Sequence, residues 1–435
     1  MKLSKANLIP LVLLLLTSLL GAQPNSTSSP AVKLSLREAE EIAQRQNPNL
    51  TVARLVAMTR WEAYREQRSV LMPSAMANLT AVDTENGNRI SAGAINNPVI
   101  YQRAAYGATV TQLITDFGRT QNMVAGSRYT AQAADQLRLA TASQLRLAVD
   151  SAWYRTLSAL SVLNVARQTV ETRKVLTEQI EALTRNKLRS LLDLSFAKTN
   201  LEQARLMQLE AESQYSAELA HLSELLGYAT QQNFELVDDG QQPSTPAENF
   251  APLVAAAFSQ RPELKAQQLL YQASRKMLSA THDEMLPSVR AMGLTGQAPV
   301  RDTHITSWYG AVGVNVEIPI FTGFRINSQI HQARLTAEAE DERTAALRNA
   351  ISREVNTSWL ENVKAYRKLD VTRALQEQAS LALDLSQTRY KLGLASIVEL
   401  SQAQLQATSA EIENARARFD CLLTEAVLRF ETGAP

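Results

Sequence analysis

The chain has 435 residues, of which 45% are hydrophobic and 20% are charged. Its 44 basic and 43 acidic side chains leave a formal net charge of +1, which excludes the strongly basic surface typical of nucleic-acid-binding proteins, so we expect no nucleic-acid partner. The composition is typical of an elongated helical protein as much as of two or three compact domains.

Residues 1–22 have the pattern of a secretory signal peptide. Lys2 and Lys5 precede an apolar run at 8–20, which small residues follow. This run is too short for a membrane-spanning helix, which needs roughly 20 residues, and no later stretch reaches about 18 consecutive apolar residues. We predict export with cleavage after Ala22. The single cysteine, Cys421, predicts a mature chain without a disulfide or a lipid anchor near its start.

Proline and glycine are distributed unevenly, which predicts two long helical hairpins. Residues 119–226 and 324–432 contain no proline and one glycine each. Each stretch has a break near its middle, at 185–190 and at 390–396. A helix over 119–183 is about 98 Å long at 1.5 Å per residue, which is too long to surround one compact core.

The same patterns divide the chain into two repeats joined by a polar, proline-containing linker at 229–252. In the first repeat, 23–228, we predict a helix at 36–70, strands at 74–83 and 101–114, and a helical hairpin at 118–227. In the second repeat, 253–435, we predict a helix at 253–285, strands at 288–297 and 306–320, and a helical hairpin at 323–431.

Matching segments in the same order indicate that the repeats arose by internal duplication. Trp153 matches Trp359, and the breaks in the two hairpins match at an offset of 206 residues. The matched segments are 46–50 with 260–264, 71–74 with 285–288, 106–107 with 309–310, 116–118 with 321–323, and 190–194 with 396–400.

Apolar residues recur every seven positions in the last helical stretch, which is typical of coiled-coil packing. They are Val398, Leu405, Ile412, Phe419 and Ala426 in one series and Leu400, Ala407, Cys421 and Leu428 in the other, with Asn414 interrupting the second. An amphipathic helix of a soluble bundle produces the same pattern, so a soluble helical protein stays open as an alternative on this signal.

The predicted strands are about ten residues long, alternate in polarity and carry aromatic residues near their ends, as strands of membrane barrels do. We interpret Tyr101, Tyr106, Trp308 and Tyr309 as a membrane aromatic belt. Four strands cannot close a barrel, because about eight are the usual minimum, so several chains would have to combine their strands. The alternative is a pair of β-hairpins that cap a soluble helical protein.

The duplicated order of elements and the tip sequence at 389–400, RYKLGLASIVEL, resemble the TolC family of outer-membrane efflux proteins over about residues 33–431. The resemblance implies a mainly α fold, with duplicated hairpins that form a trimeric α-barrel tunnel across the periplasm. It also implies four strands per chain in a shared twelve-stranded transmembrane β-barrel embedded in outer-membrane lipid. Residues 229–252 would form a belt around the middle of the tunnel.

The resemblance also implies functional residues at the hairpin tips. Glu399 falls on the family's first acidic pore ring, Gln402 stands where the family has a second acid, and Asp193 is the matching acid of the first half. The implied adaptor contact is Leu392, Gly393 and Leu394, with Lys187 and Leu188 at the corresponding turn of the first half, where lysine replaces the glycine.

No enzyme signature is visible in the sequence. The four histidines have no metal-ligand spacing, and the common nucleotide, hydrolase and metalloprotease motifs are absent, so we expect neither catalysis nor a cofactor. The resemblance implies a passive homotrimeric channel that exports small toxic compounds, drugs or proteins with a periplasmic adaptor and an inner-membrane pump of the RND or ABC type. A periplasmic coiled-coil structural protein without channel activity is the alternative, and a free diffusion porin is a third hypothesis.

Overall fold

The computed structural model describes residues 32–83, 103–301 and 306–434 and confirms the mainly helical fold. The predicted signal peptide and Tyr101 lie outside the described residues. In chain order the elements are β1 (Val32–Leu34), α1 (Leu36–Gln46), α2 (Pro48–Ser69), β2 (Ser74–Val82), β3 (Arg103–Thr115), α3 (Arg119–Arg185), α4 (Leu191–Leu225), β4 (Phe234–Leu236), α5 (Ala251–Gln260), α6 (Pro262–Asp283), β5 (Ser288–Val300), β6 (Trp308–Glu317), α7 (Arg325–Lys391) and α8 (Ile397–Thr432).

The two longest helices, α3 and α7, have 67 residues each and are therefore about 100 Å long. Each folds back along a shorter partner, α4 or α8, of 35 or 36 residues. Both long helices begin after two consecutive residues with positive φ, Phe117 with Gly118 and Gly323 with Phe324. The structure therefore matches Gly118 with Phe324, one residue away from the match of 116–118 with 321–323 made from the sequence.

The single helices predicted at 36–70 and 253–285 are each divided in two by the structure. Asn47 and Arg261 adopt extended backbone conformations, and a proline begins the following helix in both cases. A residue that precedes proline is forced away from the helical region, which explains both breaks. The Asn47 side chain caps α2 and also donates a hydrogen bond of 2.9 Å to the Leu225 carbonyl at the end of α4.

The four longer strands form one antiparallel sheet in the order β2-β3-β5-β6. The predicted last strand, 306–320, is shorter in the structure, where β6 ends at Glu317. Pro319 explains the early end, because proline has no N–H to donate to a sheet. All four strands connect to helices at the same end of the sheet. α2 and α6 precede β2 and β5, and α3 and α7 follow β3 and β6.

A belt, defined here as β1 together with residues 234–250, crosses the middle of the helices. β1 pairs in parallel with β4, which the sequence did not predict. Asp238 accepts two hydrogen bonds from Arg418 on α8, at 2.9 and 3.1 Å, and Ser244 donates to Glu425 further along the same helix. The belt is thus attached to α8 and not a free linker.

The main hydrophobic core lies at the level of the belt, where α1, α3, α4, α8, β1 and β4 meet. Its members include Leu34, Trp153, Leu222, Phe234 and Phe419. Beside this core lies an acidic residue, Asp150, which is 6% exposed. Burial, followed by the neighbouring carboxylate of Glu40, raises the pKa of Asp150 to about 7. None of the helices in the described parts of the chain has an apolar stretch sufficient to cross a membrane.

Candidate functional site at the hairpin tips

The two hairpins turn at their tips with the same backbone geometry. Lys187 and Gly393 both have positive φ, 60° and 75°. In each turn the following amide returns to the long helix: Leu188 N–H donates to the Leu183 carbonyl at 2.9 Å, and Leu394 N–H donates to the Arg389 carbonyl at 2.8 Å. This is the Schellman pattern of a helix C-terminus, which favours glycine at the left-handed position. Lys187 adopts that conformation despite its side chain.

The helices that return from the tips begin with matched caps. The backbone N–H of Asp193 donates to the Ser190 hydroxyl at 3.0 Å, and that of Glu399 donates to the Ser396 hydroxyl at 3.2 Å. Both acids lie in the first helical turn, where the helix dipole stabilises negative charge. The predicted pore residues of the two halves therefore occupy equivalent structural positions.

Within one protomer Glu399 is not an isolated acid. Its carboxylate forms an ion pair with Arg389 of the same hairpin at 3.2 Å. Gln402 lies three residues later on the same face of α8 and is exposed. An acidic ring at Glu399 would thus have an arginine beside each carboxylate, which the sequence did not predict.

The residues predicted to contact an adaptor are solvent-exposed at the tips. Leu188 is 69% exposed, and Leu392 and Leu394 are 68% and 67% exposed. A Cβ built on Gly393 meets no atom within 4 Å, so the surface beside this glycine is open. The tips therefore present exposed leucines around two turns of the same shape.

A direct contact joins the two tips. The Arg189 guanidinium donates a hydrogen bond of 2.7 Å to the Tyr390 carbonyl and lies 4.3 Å from the centre of the Tyr390 ring. Beneath them, Ile180, Ile397 and Leu400 pack into a small buried cluster that also contains Tyr390. We name this contact the Arg189–Tyr390 latch.

The Tyr390 ring is almost fully buried, and within the protomer its hydroxyl has no hydrogen-bond partner. Burial, more than the nearby charges, raises the pKa of this hydroxyl. Sequence reasoning assigned no role to Arg189 or Tyr390. No local signal could reveal the latch, because its partners are 201 residues apart and meet only when the hairpins dock.

The three residues of the predicted aromatic belt that the structure describes are divided between the two faces of the sheet. Tyr106 and Trp308 lie in the same row across the strands, on the apolar face, and the Tyr106 hydroxyl donates to Gln297 at 2.7 Å. Tyr309 follows Trp308 in β6, and its side chain therefore points to the opposite face. Trp308 and Tyr309 therefore lie on opposite faces of the sheet, and the membrane aromatic belt stays a prediction.

Comparisons with known proteins extend over nearly the whole chain. A family model described as outer membrane efflux protein matches residues 41–228 and 253–434. The outer membrane protein TolC of Vibrio cholerae is 22% identical over 436 residues, covering 96% of this chain and 95% of that protein. The outer membrane efflux protein BepC of Brucella suis is 24% identical over 196 residues, which cover 44% of this chain and 41% of that protein. A solved membrane protein from Pseudomonas aeruginosa has the same fold, with a TM-score of 0.80, 21% identity and coverage of 92% and 93% of the two chains.

Proposed function

We propose, because this chain belongs to the outer membrane efflux protein family, that three copies form a channel-tunnel through which cargo leaves the cell. The chain is accordingly an outer-membrane transport protein. In the proposed trimer each copy contributes four strands to one twelve-stranded barrel, and the long hairpins continue the barrel as a tunnel across the periplasm. Small toxic compounds, drugs or proteins would be the cargo.

The sheet supports this proposal most directly. Within the described residues, β2 and β6 have no strand partner on their outer sides. The face of β6 that carries Val312, Val314 and Val316 is strongly exposed in the protomer, with Val312 at 92%. In hydrocarbon every backbone polar group needs a partner, so an apolar-faced sheet with two open edges favours closure through neighbouring copies.

The helices support the oligomer independently. On the part of α7 nearest the tip, apolar side chains are exposed along one face of the helix, at Val371, Leu375, Leu381 and Leu385. A contiguous apolar stripe on an exposed helix is typical of a surface that is covered in the assembly. Coverage by the hairpins of adjacent copies would complete a ring of helices.

We infer that the tips form the closed end of the tunnel. Glu399, Gln402 and Asp193 would line the constriction, and the exposed leucines with Gly393 and Lys187 would contact a periplasmic adaptor. Three glutamates brought together favour cations and repel one another, although each Arg389 partner weakens the effect.

The channel itself would use no energy or cofactor. An inner-membrane pump and the adaptor would open the tips by loosening the packing between hairpins.

The test is the mass of the detergent-purified protein together with its single-channel conductance in planar bilayers. We expect a particle of three chains that conducts small currents with a preference for cations. Glu399→Gln should reduce the cation preference, whereas the matched variant Glu202→Gln, which removes an exposed acid on α4 paired to Arg205, should not. A monomer that stays soluble without detergent and never conducts would favour a periplasmic structural protein instead.

A further inference from the structure

One row of residues across the sheet has an unusual composition. Asn78, Gly107, Gly296 and Tyr309 lie opposite one another on successive strands. The two central positions carry no side chain, and the Tyr309 ring occupies the space above both of them. A Cβ built on Gly107 would lie 2.6 Å from the Tyr309 hydroxyl oxygen, and one built on Gly296 would lie 2.4 Å from the same atom.

The ring is held flat against the sheet. The Tyr309 hydroxyl donates a hydrogen bond of 3.4 Å to the Tyr106 carbonyl, two strands away. Neighbouring backbone also approaches the two glycines closely, since the Thr295 and Tyr106 carbonyl oxygens lie 2.7 and 2.4 Å from the built Cβ positions. Tyr309 is 38% exposed, as expected for a ring with one side on the sheet and the other side open.

The face that carries Tyr309 is the more polar one. Its other members on β2, β3 and β6 include Thr80, Thr109, Thr111, Asn315 and Glu317, by the pairing register. The opposite face carries Leu79, Trp308, Val312 and Val314. Strands of outer-membrane barrels direct apolar residues to lipid and polar residues to the lumen. Tyr309 therefore belongs to the lumen side of a barrel.

The position of Tyr309 along the barrel axis follows from the order of β6 and α7 in the chain. β6 begins at Trp308 and runs toward α7, so Tyr309 is at the end of the sheet farthest from the helices. In the trimer this is the outer, cell-surface end. Three copies of a ring on the lumen wall at one height narrow the opening there.

Resting on the trimeric barrel proposed above, we propose that Tyr309 forms an aromatic constriction at the outer end of the lumen and limits the size of what passes it. The ring narrows the opening by its thickness and not by its full length, because the glycine pair lets it lie flat. Tyr309 thereby determines the width of the outer opening, whereas different residues line the tip constriction at the far ends of the long helices.

The experiment uses a thiol reporter deeper in the lumen of the full-length protein. Cys421 is the only cysteine of the sequence, so a Cys421→Ser background removes the one competing thiol. Asn315→Cys places one thiol on the same face, nearer the helices. Intact cells are treated from outside with a small charged methanethiosulfonate and with a bulky polyethylene glycol maleimide.

We expect Tyr309→Ala to raise the labelling rate of Asn315→Cys by the bulky reagent several-fold and to leave the rate with the small reagent unchanged. Trp308→Ala, the matched aromatic removal on the lipid face, should change neither rate. An equal rate with and without Tyr309, or an equal rise for both aromatic variants, would overturn the constriction.

A second measurement does not depend on the alanine variant. Tyr309→Cys should react with the small charged reagent, whereas Trp308→Cys should not, because it faces lipid. The reverse pattern would overturn the assignment of faces. If the small reagent fails to reach Asn315→Cys in any background, the barrel lumen itself is absent, and the proposed function fails together with the constriction.

Discussion

The two long helices, α3 and α7, have equal lengths and matched turns, but they are buried to very different extents. Within the protomer 23 residues of α3 are buried, whereas nine residues of α7 are buried. α3 packs against α1, α2, α4, α6 and α8, whereas α7 packs against α5, α6, α8 and the belt. The first hairpin thus organises the protomer, whereas most of the long helix of the second is exposed within it.

The difference shows that a repeated fold does not require repeated chemistry. Asp150 of α3 is buried at the belt, and the matching residue of α7, at the offset of 206, is Asn356. Arg189 of the first tip holds the second tip, whereas Ala395 occupies its matching position. Lys187 has the backbone conformation of Gly393. Each pair can be exchanged to test which differences matter.

The largest expected effect is that of Asp150→Asn, which gives the first half the residue of the second. The pKa of Asp150 is raised from 3.8 to about 7, so across that window the folded protein retains a proton that the unfolded chain has released. Stability therefore falls as pH rises from about 4 to 7, and the loss persists above 7. The variant should be more stable at pH 8 by up to about 4 kcal/mol and no more stable at pH 4.

Denaturant unfolding of the detergent-solubilised protein at the two pH values measures this difference. Asp384→Asn, which removes an exposed charge on α7, serves as the control and should leave the free energy of unfolding nearly unchanged at both pH values. A gain from Asp150→Asn that is equal at both pH values would show that charge burial is not the cause.

The next effect concerns the latch. Arg189→Ala removes a charged hydrogen-bond donor and its contact with the Tyr390 ring, which together contribute about 2 kcal/mol. We expect higher single-channel conductance, because the tips then lose their direct polar contact and keep the apolar cluster and the hydrogen bond of 2.7 Å from Asn200 to Ser401. Arg185→Ala removes an exposed arginine that pairs with Glu181 of its own helix and should leave conductance unchanged.

Tyr390→Phe sharpens the same test, because it keeps the ring and the carbonyl that Arg189 contacts. Since the hydroxyl has no partner within the protomer, this variant should conduct like the wild type. A conductance as high as that of Arg189→Ala would instead place a partner for the hydroxyl on a neighbouring copy.

The smallest effect is expected from exchanging the turn residues. Lys187→Gly relieves a left-handed conformation at a residue with a side chain and should stabilise the protein by about 1 kcal/mol. Gly393→Lys imposes the same strain and should destabilise it by a similar amount, since a Cβ there meets no neighbouring atom. Thermal unfolding of both variants gives the comparison. Stability changes of opposite sign for the two variants support conformational strain as the cause, and changes of the same sign contradict it.

The helices and the sheet were predictable because their signals are local. Two stretches without proline predict the hairpins, and alternating polarity predicts the strands. The division at Asn47 was missed although Pro48 marks it, because the flanking sequence is helical on both sides. β1 was missed because three residues carry no periodicity and their partner β4 lies 202 positions later. The latch and the Tyr309 row depend on docking and register, which local patterns do not contain.

The belt has a mechanical consequence. It is fastened to α8 by Arg418 and Glu425 and receives the Trp359 indole of α7, which donates to the Ala247 carbonyl at 2.8 Å. From Trp153, at the same level, to the tip at Arg185 is about 50 Å of helix. Because the belt holds the helices at this level, a change in helix tilt there would be amplified along the helix toward the tip. A tilt of about 5° there would displace a tip by about 4 Å at this helix length, so a movement too small to disturb the packing at the belt becomes large at the hairpin tips.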